Sequence, residues 1–276
     1  MAVVHVTTWA EFKSAIATAG NTVIVDNNLD ANGTYTTSNL SLAASNIQGN
    51  GHTIYNIMGS TTIFSGTNAN SHSISDLNFA NCDTSSASSS TVGALFRASS
   101  ASYPVNLTRC NIQGNLRLIG YGYVRLSSCA IVMSGNSHAG IINNTTSSTG
   151  CYVESCYFDL GETYTLTGDS LFGYCYMYKC YFKGKLKLSA SKNINGNYGS
   201  DNNYNNVYNM YVSSTDDTAR TLRINGQAGG SAVSIINADR IAANITLANN
   251  TAVAELTDAQ MKDASYISST GFPIIV

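Results

Sequence analysis

The chain has 276 residues, a formal net charge of −2 and only 11% charged residues. Hydrophobic residues reach 43%, enough for a sizeable core, and Ser, Thr and Asn together supply 93 residues against two Pro. This balance excludes a polybasic nucleic-acid binder and a helical bundle rich in Glu and Lys. With no run approaching about 18 apolar residues, it also excludes a membrane-spanning helix.

At the N-terminus, residues 1–6 lack the basic and long apolar regions of a secretory signal. Thr8-Trp-Ala-Glu11 has the form of a capping box, and Trp9, Phe12, Ile16 and Ala19 then share one helical face up to Gly20. The spacing predicts a short amphipathic helix, with Thr22–Val25 as the first strand. Asn28-Leu-Asp30-Ala-Asn32-Gly33 has the ligand spacing of half a calcium loop. Asn39 stands where that loop requires a bidentate Glu, so an Asn-rich turn is expected instead.

A phrase then recurs: apolar, two spacers, Cys or an apolar residue, one spacer, apolar. It reads Ile74-Ser-Asp-Leu77-Asn-Phe79, Leu107-Thr-Arg-Cys110-Asn-Ile112, Leu126-Ser-Ser-Cys129-Ala-Ile131 and Val153-Glu-Ser-Cys156-Tyr-Phe158. It continues as Met177-Tyr-Lys-Cys180-Tyr-Phe182 and Val207-Tyr-Asn-Met210-Tyr-Val212. A second phrase falls between copies, ending at Phe64, Phe96, Ile142 and Phe172. Each unit thus holds several short strands, and variable loops account for the uneven spacing. Units that cannot bury their own apolar face stack into a solenoid. The expected fold is all-β: a single-stranded right-handed parallel β-helix of about ten coils, roughly 50 Å long at the usual strand spacing. One structural domain is expected, with a cap helix over residues 1–21, the β-helix over 22–250 and a C-terminal cap or tail over 251–276. In that tail, Thr257-Asp-Ala-Gln260 repeats the capping-box pattern.

These phrases resemble the right-handed parallel β-helix, pectin-lyase-like superfamily, and within it the GLUG-type repeats of gut bacterial surface proteins and related phage virion proteins. The resemblance implies the architecture and is nearly silent on function.

The aligned phrases put Cys110, Cys129, Cys156 and Cys180 at one inward position, and Cys151 and Cys175 at another. Buried, reduced thiols are the expected reading of all seven Cys, since Cys packs as a small apolar residue. The four His are isolated and no Cys/His spacing suits zinc, so no metal site or cofactor is expected. Lyases and hydrolases of this superfamily use clustered carboxylates with a basic residue, and no single strand here carries such a set. Asp159, Glu162 and Asp169 bracket a loop.

The asymmetric feature is tyrosine: 11 of the 17 lie between Tyr152 and Tyr211. The period of two turns Tyr157, Tyr181 and Tyr211 outward at one stacked position, with Tyr178 and Tyr208 at a second. Tyr204 belongs to the Asn-rich loop over 193–206. Such ladders support strands, form a subunit interface or contact sugars; all three readings stay open. The first functional expectation is a non-enzymatic phage virion protein, a tail- or head-associated fibre or decoration subunit made in the host cytoplasm. Its partners would be other virion proteins, copies of itself (a trimer, for example) or a host surface glycan, without nucleic acid or membrane insertion. A bacterial surface adhesin or stalk is the alternative, and a polysaccharide lyase or hydrolase the third reading.

Overall fold

The computed structural model describes residues 2–33, 35–36, 38–59, 61–67, 70–84, 93–98, 100, 102–135, 137–138, 140–142, 151–173, 175–195, 203–204, 206–223, 234–236, 240–248 and 253–255. Short parallel strands stack coil upon coil into a parallel β-helix. A nine-stranded sheet (sheet 1) runs from Val3–Val6 to Asn203–Tyr204, and a larger one (sheet 2) follows a ten-strand path from Leu29–Asp30 to Val253–Glu255. A third face is formed by two four-stranded sheets, bridged through Ile142 to Ile119 on one side and Phe172 on the other.

The recurring phrase is the passage from sheet 1 to sheet 2. Its corner residue adopts a left-handed backbone at Asn50, Asp76, Arg109, Ser128, Ser155 and Lys179, with φ between 51° and 54°. The next residue then points inward at the corner: Leu77, Cys110, Cys129, Cys156 and Cys180 are all fully buried. Each thiol from Cys110 onward donates to the carbonyl two residues before it, at 3.5, 3.4, 3.2 and 3.3 Å. A small side chain with a weak donor therefore fills the corner and adds a second contact to a carbonyl that already accepts from a backbone N–H of the coil before. In the coil where residues 47–54 make the passage, two extra residues widen the corner. Gly49 is needed there because a Cβ would lie 2.3 Å from Leu77 Cα.

Inward columns form the core. In sheet 2, Ile54, Phe79, Ile112, Ile131, Phe158, Phe182 and Tyr208 follow one another. Phe64 and Phe96 stack at 5.4 Å and meet Phe79 edge-on, and Phe158 and Phe182 stack at 5.0 Å around Phe172. Pairs of this kind add about 0.5–1.5 kcal/mol beyond area burial.

At the N-terminal end, helix α1 (Trp9–Ile16) covers the core. Thr8 accepts from Glu11 N–H, and Glu11 in turn accepts from the Thr8 and Thr7 N–H groups, closing the capping box. Phe12, Ala15 and Ile16 are buried, and Phe12 meets Phe64 at 6.5 Å. Ala15 takes the inward place expected of Ala19, because the helix ends at Ile16 and Ala19 is exposed. The first strand is Val3–Val6, not Thr22–Val25; the two pair in parallel. A boundary between residues 21 and 22 would thus divide a hydrogen-bonded pair. The Asn28–Gly33 segment is a short strand and turn: Asp30 accepts from Asn32 N–H at 2.7 Å and from Asn56 Nδ2 at 3.0 Å. The second capping box, Thr257–Gln260, lies outside the described residues.

All seven cysteines are free and buried. Burial pushes the thiols of Cys82 and Cys180 up to about 12, so thiolate is scarce at neutral pH. None of the seven should react within minutes with a thiol reagent in the native protein, whereas all should react in denaturant. Fast native labelling of Cys110, Cys129, Cys156 or Cys180 would refute the ladder. A second test addresses the corners. Ser155 holds φ 52°, where glycine carries no Cβ penalty, so Ser155→Gly should be neutral or stabilise by up to about 1 kcal/mol in denaturant melts, against the usual loss for glycine in a strand.

Candidate functional site

Outward residues of sheets 1 and 2 carry the tyrosines. On sheet 2 the column runs Asn111, Ala130, Tyr157, Tyr181 and Val207. Tyr157 and Tyr181 stack at 5.9 Å with planes 1° apart, as the period of two requires. Asn209 Nδ2 donates to the Tyr181 hydroxyl at 2.8 Å, and Tyr181 is only 4% exposed. Its ring faces away from the core yet is covered by its neighbours.

Tyr211 does not join this stack. It pairs with Lys185, four residues farther along the neighbouring strand than Tyr181, and is exposed. Tyr208 is not outward either: it pairs with Phe182, stacks on it at 4.8 Å and is buried. The expected register fails in this coil because Asn206, rather than Met210, fills the corner slot after Cys180. Asn206 is fully buried; its Oδ1 accepts from Cys180 N–H at 2.8 Å and its Nδ2 donates to Met177 O at 3.2 Å. An amide thus stands where the earlier coils carry a thiol. Asn203-Tyr-Asn-Asn206-Val-Tyr208 is the true sixth copy. Tyr178 is consequently paired with Tyr204 on one side and Glu154 on the other.

Charged groups border the outward tyrosines. Lys183 sits between Asp159 and Asn209 in the next column, 3.0 Å from the Asp159 carboxylate and 5.5 Å from the Tyr157 ring centroid. Its hydrogen bond to the Tyr157 hydroxyl, then that to Asp159, holds its ammonium above the usual lysine range. Glu162 pairs with Lys185 and Asp216 with Arg220. At the corner, Arg109 binds Asp76 through two 2.6 Å contacts and holds that carboxyl below the usual range. Asp159 and Glu162 are thus held in ion pairs with cations of the following coil. Among the described residues no group of three His, Cys, Asp or Glu is placed to hold a metal ion.

Sheet 1 carries a second tyrosine pair that the phrase alignment did not single out. Tyr152 and Tyr176 are register partners and stack at 4.8 Å with planes 9° apart. Arg125, one coil earlier, places its guanidinium 5.3 Å from the Tyr152 ring centroid. Their signal lay in the alternation Cys151-Tyr-Val-Glu154 and Cys175-Tyr-Met-Tyr178, which turns both tyrosines outward. In both ladders the rings lie against one another, but only Tyr152 is left exposed; the Tyr181 hydroxyl is taken up by Asn209.

These burials separate the tyrosines by mutation. Tyr181→Ser should destabilise by about 2–4 kcal/mol, since it empties a covered site, while Tyr152→Ser should stay within about 0.5 kcal/mol in chemical denaturation. Equal losses at the two positions would contradict the packing described.

Comparison with known proteins bears on the N-terminal coils. Residues 3–115 match the family model described as "Putative pectate lyase-like adhesive domain". The matched stretch contains α1 and the strands through Asn111–Asn115, and covers less than half the chain; the tyrosine ladders lie beyond it. No curated protein and no solved structure matches the chain. The parallel coils, the helical cap and this match together identify the chain as a parallel β-helix of pectin-lyase-like fold.

Proposed function

We propose that the chain is an adhesive solenoid displayed on a surface, which meets its partner through outward side chains rather than through a catalytic cleft. The match of its N-terminal coils to an adhesive variant of the pectate-lyase architecture carries this reading. The ion-paired carboxylates Asp159 and Glu162 add to it, because a lyase or hydrolase needs such groups free to bind or protonate substrate. Display on a bacterial surface is the setting the adhesive match favours. A second setting, a tail- or head-associated subunit of a phage particle, is favoured by the seven buried free thiols, which suit folding in a reducing cytoplasm before release.

Immunogold microscopy with antibody to the purified chain separates these settings. Gold on the bacterial envelope supports the first, gold on purified particles the second, and gold confined to the cell interior overturns both. The purified protein should adsorb to bacterial cells or their surface glycans without degrading them. Release of unsaturated oligosaccharides from pectate, alginate or capsule, abolished by one Asp substitution, would replace adhesion by catalysis.

A further inference from the structure

The outer face of sheet 1 holds an arrangement that complements itself. Two outward columns lie side by side: Asn106, Arg125, Tyr152 and Tyr176 in one, Thr108, Ser127, Glu154 and Tyr178 in the other. Six of these residues, Asn106, Thr108, Arg125, Ser127, Tyr152 and Glu154, line a shallow depression. Among the described residues only Val3, Tyr152 and Tyr211 are strongly exposed large apolar side chains. Tyr152 is the one in this depression.

Asp76, Asp159, Glu162 and Asp216 each close an ion pair within the chain. Arg125 and Glu154 are exposed, and neither is in an ion pair among the described residues, although they stand on adjacent coils. Strand spacing of roughly 4.8 Å and a rise of roughly 3.3 Å per residue put them about 8 Å apart. They occupy opposite corners of a rectangle, about 4.8 Å by 6.6 Å, whose other corners are Ser127 and Tyr152. A two-fold axis lying in the contact plane, close to the Ser127–Tyr152 diagonal, sets Arg125 of one copy against Glu154 of the other, twice. The same operation brings the two Tyr152 rings together beside the axis. One patch then serves both partners, as an isologous contact requires.

We propose that this face is a homotypic contact, in which the partner met by the adhesive solenoid is a second copy of the same chain. The proposal rests on the adhesive reading and names its partner. The axis crosses the two solenoids at a steep angle, so the contact stays local, on the order of a few hundred Å² per copy. Stable interfaces bury about 800 Å² per partner. A single contact is therefore weak, and many copies displayed on facing surfaces would supply the strength. The two charge pairs fix the register and exclude wrong partners.

Charge reversal tests it on the full chain. Wild-type protein at high micromolar to millimolar concentration and low salt should show a reversible dimer by sedimentation equilibrium. Arg125→Glu and Glu154→Arg should each weaken that dimer about tenfold or more, with unchanged circular dichroism, because like charges then meet twice. The two single variants, each self-repelling, should associate with one another when mixed, and R125E/E154R should recover self-association. A wild type that stays monomeric throughout, or singles that fail to pair when mixed, overturns the proposal. A monomer that still adsorbs to cells through Tyr152 overturns homotypic contact and leaves adhesion standing; loss of adsorption as well removes both.

Discussion

The left-handed corner between sheets 1 and 2 is the constraint on which the rest depends. A non-glycine residue in that conformation carries a penalty of about 1–2 kcal/mol, yet the corner repeats at Asp76, Arg109, Ser128, Ser155 and Lys179. The penalty is offset by what the turn delivers: one side chain driven into the interior at each coil, and the next strand started in register over the last. With those corners aligned, inward columns of Phe and Ile are stacked and outward residues fall into columns of their own. The tyrosine ladders, the Asp159–Lys183 pair and the Arg125–Tyr152 contact all follow from that alignment.

Thiol and amide play the same part at the corner with different chemistry. Cysteine is small, packs as an apolar residue and adds a weak hydrogen bond to a carbonyl that already accepts from a backbone N–H of the coil before. Asn206 does more, receiving from a backbone N–H and donating to a carbonyl, but it brings two polar atoms into the interior and needs both partners. A column of thiols is the more forgiving solution and lets successive coils vary in loop length.

Much of this was legible in the sequence because Cys and Phe mark inward positions unambiguously. The ladder from Cys110 to Cys180, the Cys151–Cys175 pairing, the column through Phe64, Phe96 and Phe172, and the Thr8–Glu11 box can all be read from spacing alone. The reading failed where polarity and position disagree. Asn206 looks like a loop residue, so the eye slides to Met210, and the slip carries Tyr208 to the wrong face and Tyr211 into a stack it does not join. Val3–Val6 is hard to read because a four-residue segment, mostly exposed, before a helix carries no strand signature of its own; it pairs only because Thr22–Val25 lies beside it. The outward faces are harder still, since exposure there depends on which side chain the neighbouring coil brings alongside. Tyr157 and Tyr181 occupy equivalent positions, yet Asn209 covers only the second.

The helical cap gives the stack a direction. With α1 seated on Phe64 and the N–H groups of Thr7 and Thr8 held by Glu11, the first coils are closed on one side by residues that leave the ribosome before any of the later coils. Each later coil finds a finished template on one side and open strand edges on the other. Assembly can then proceed as vectorial accretion during synthesis, each turn annealing to the one before.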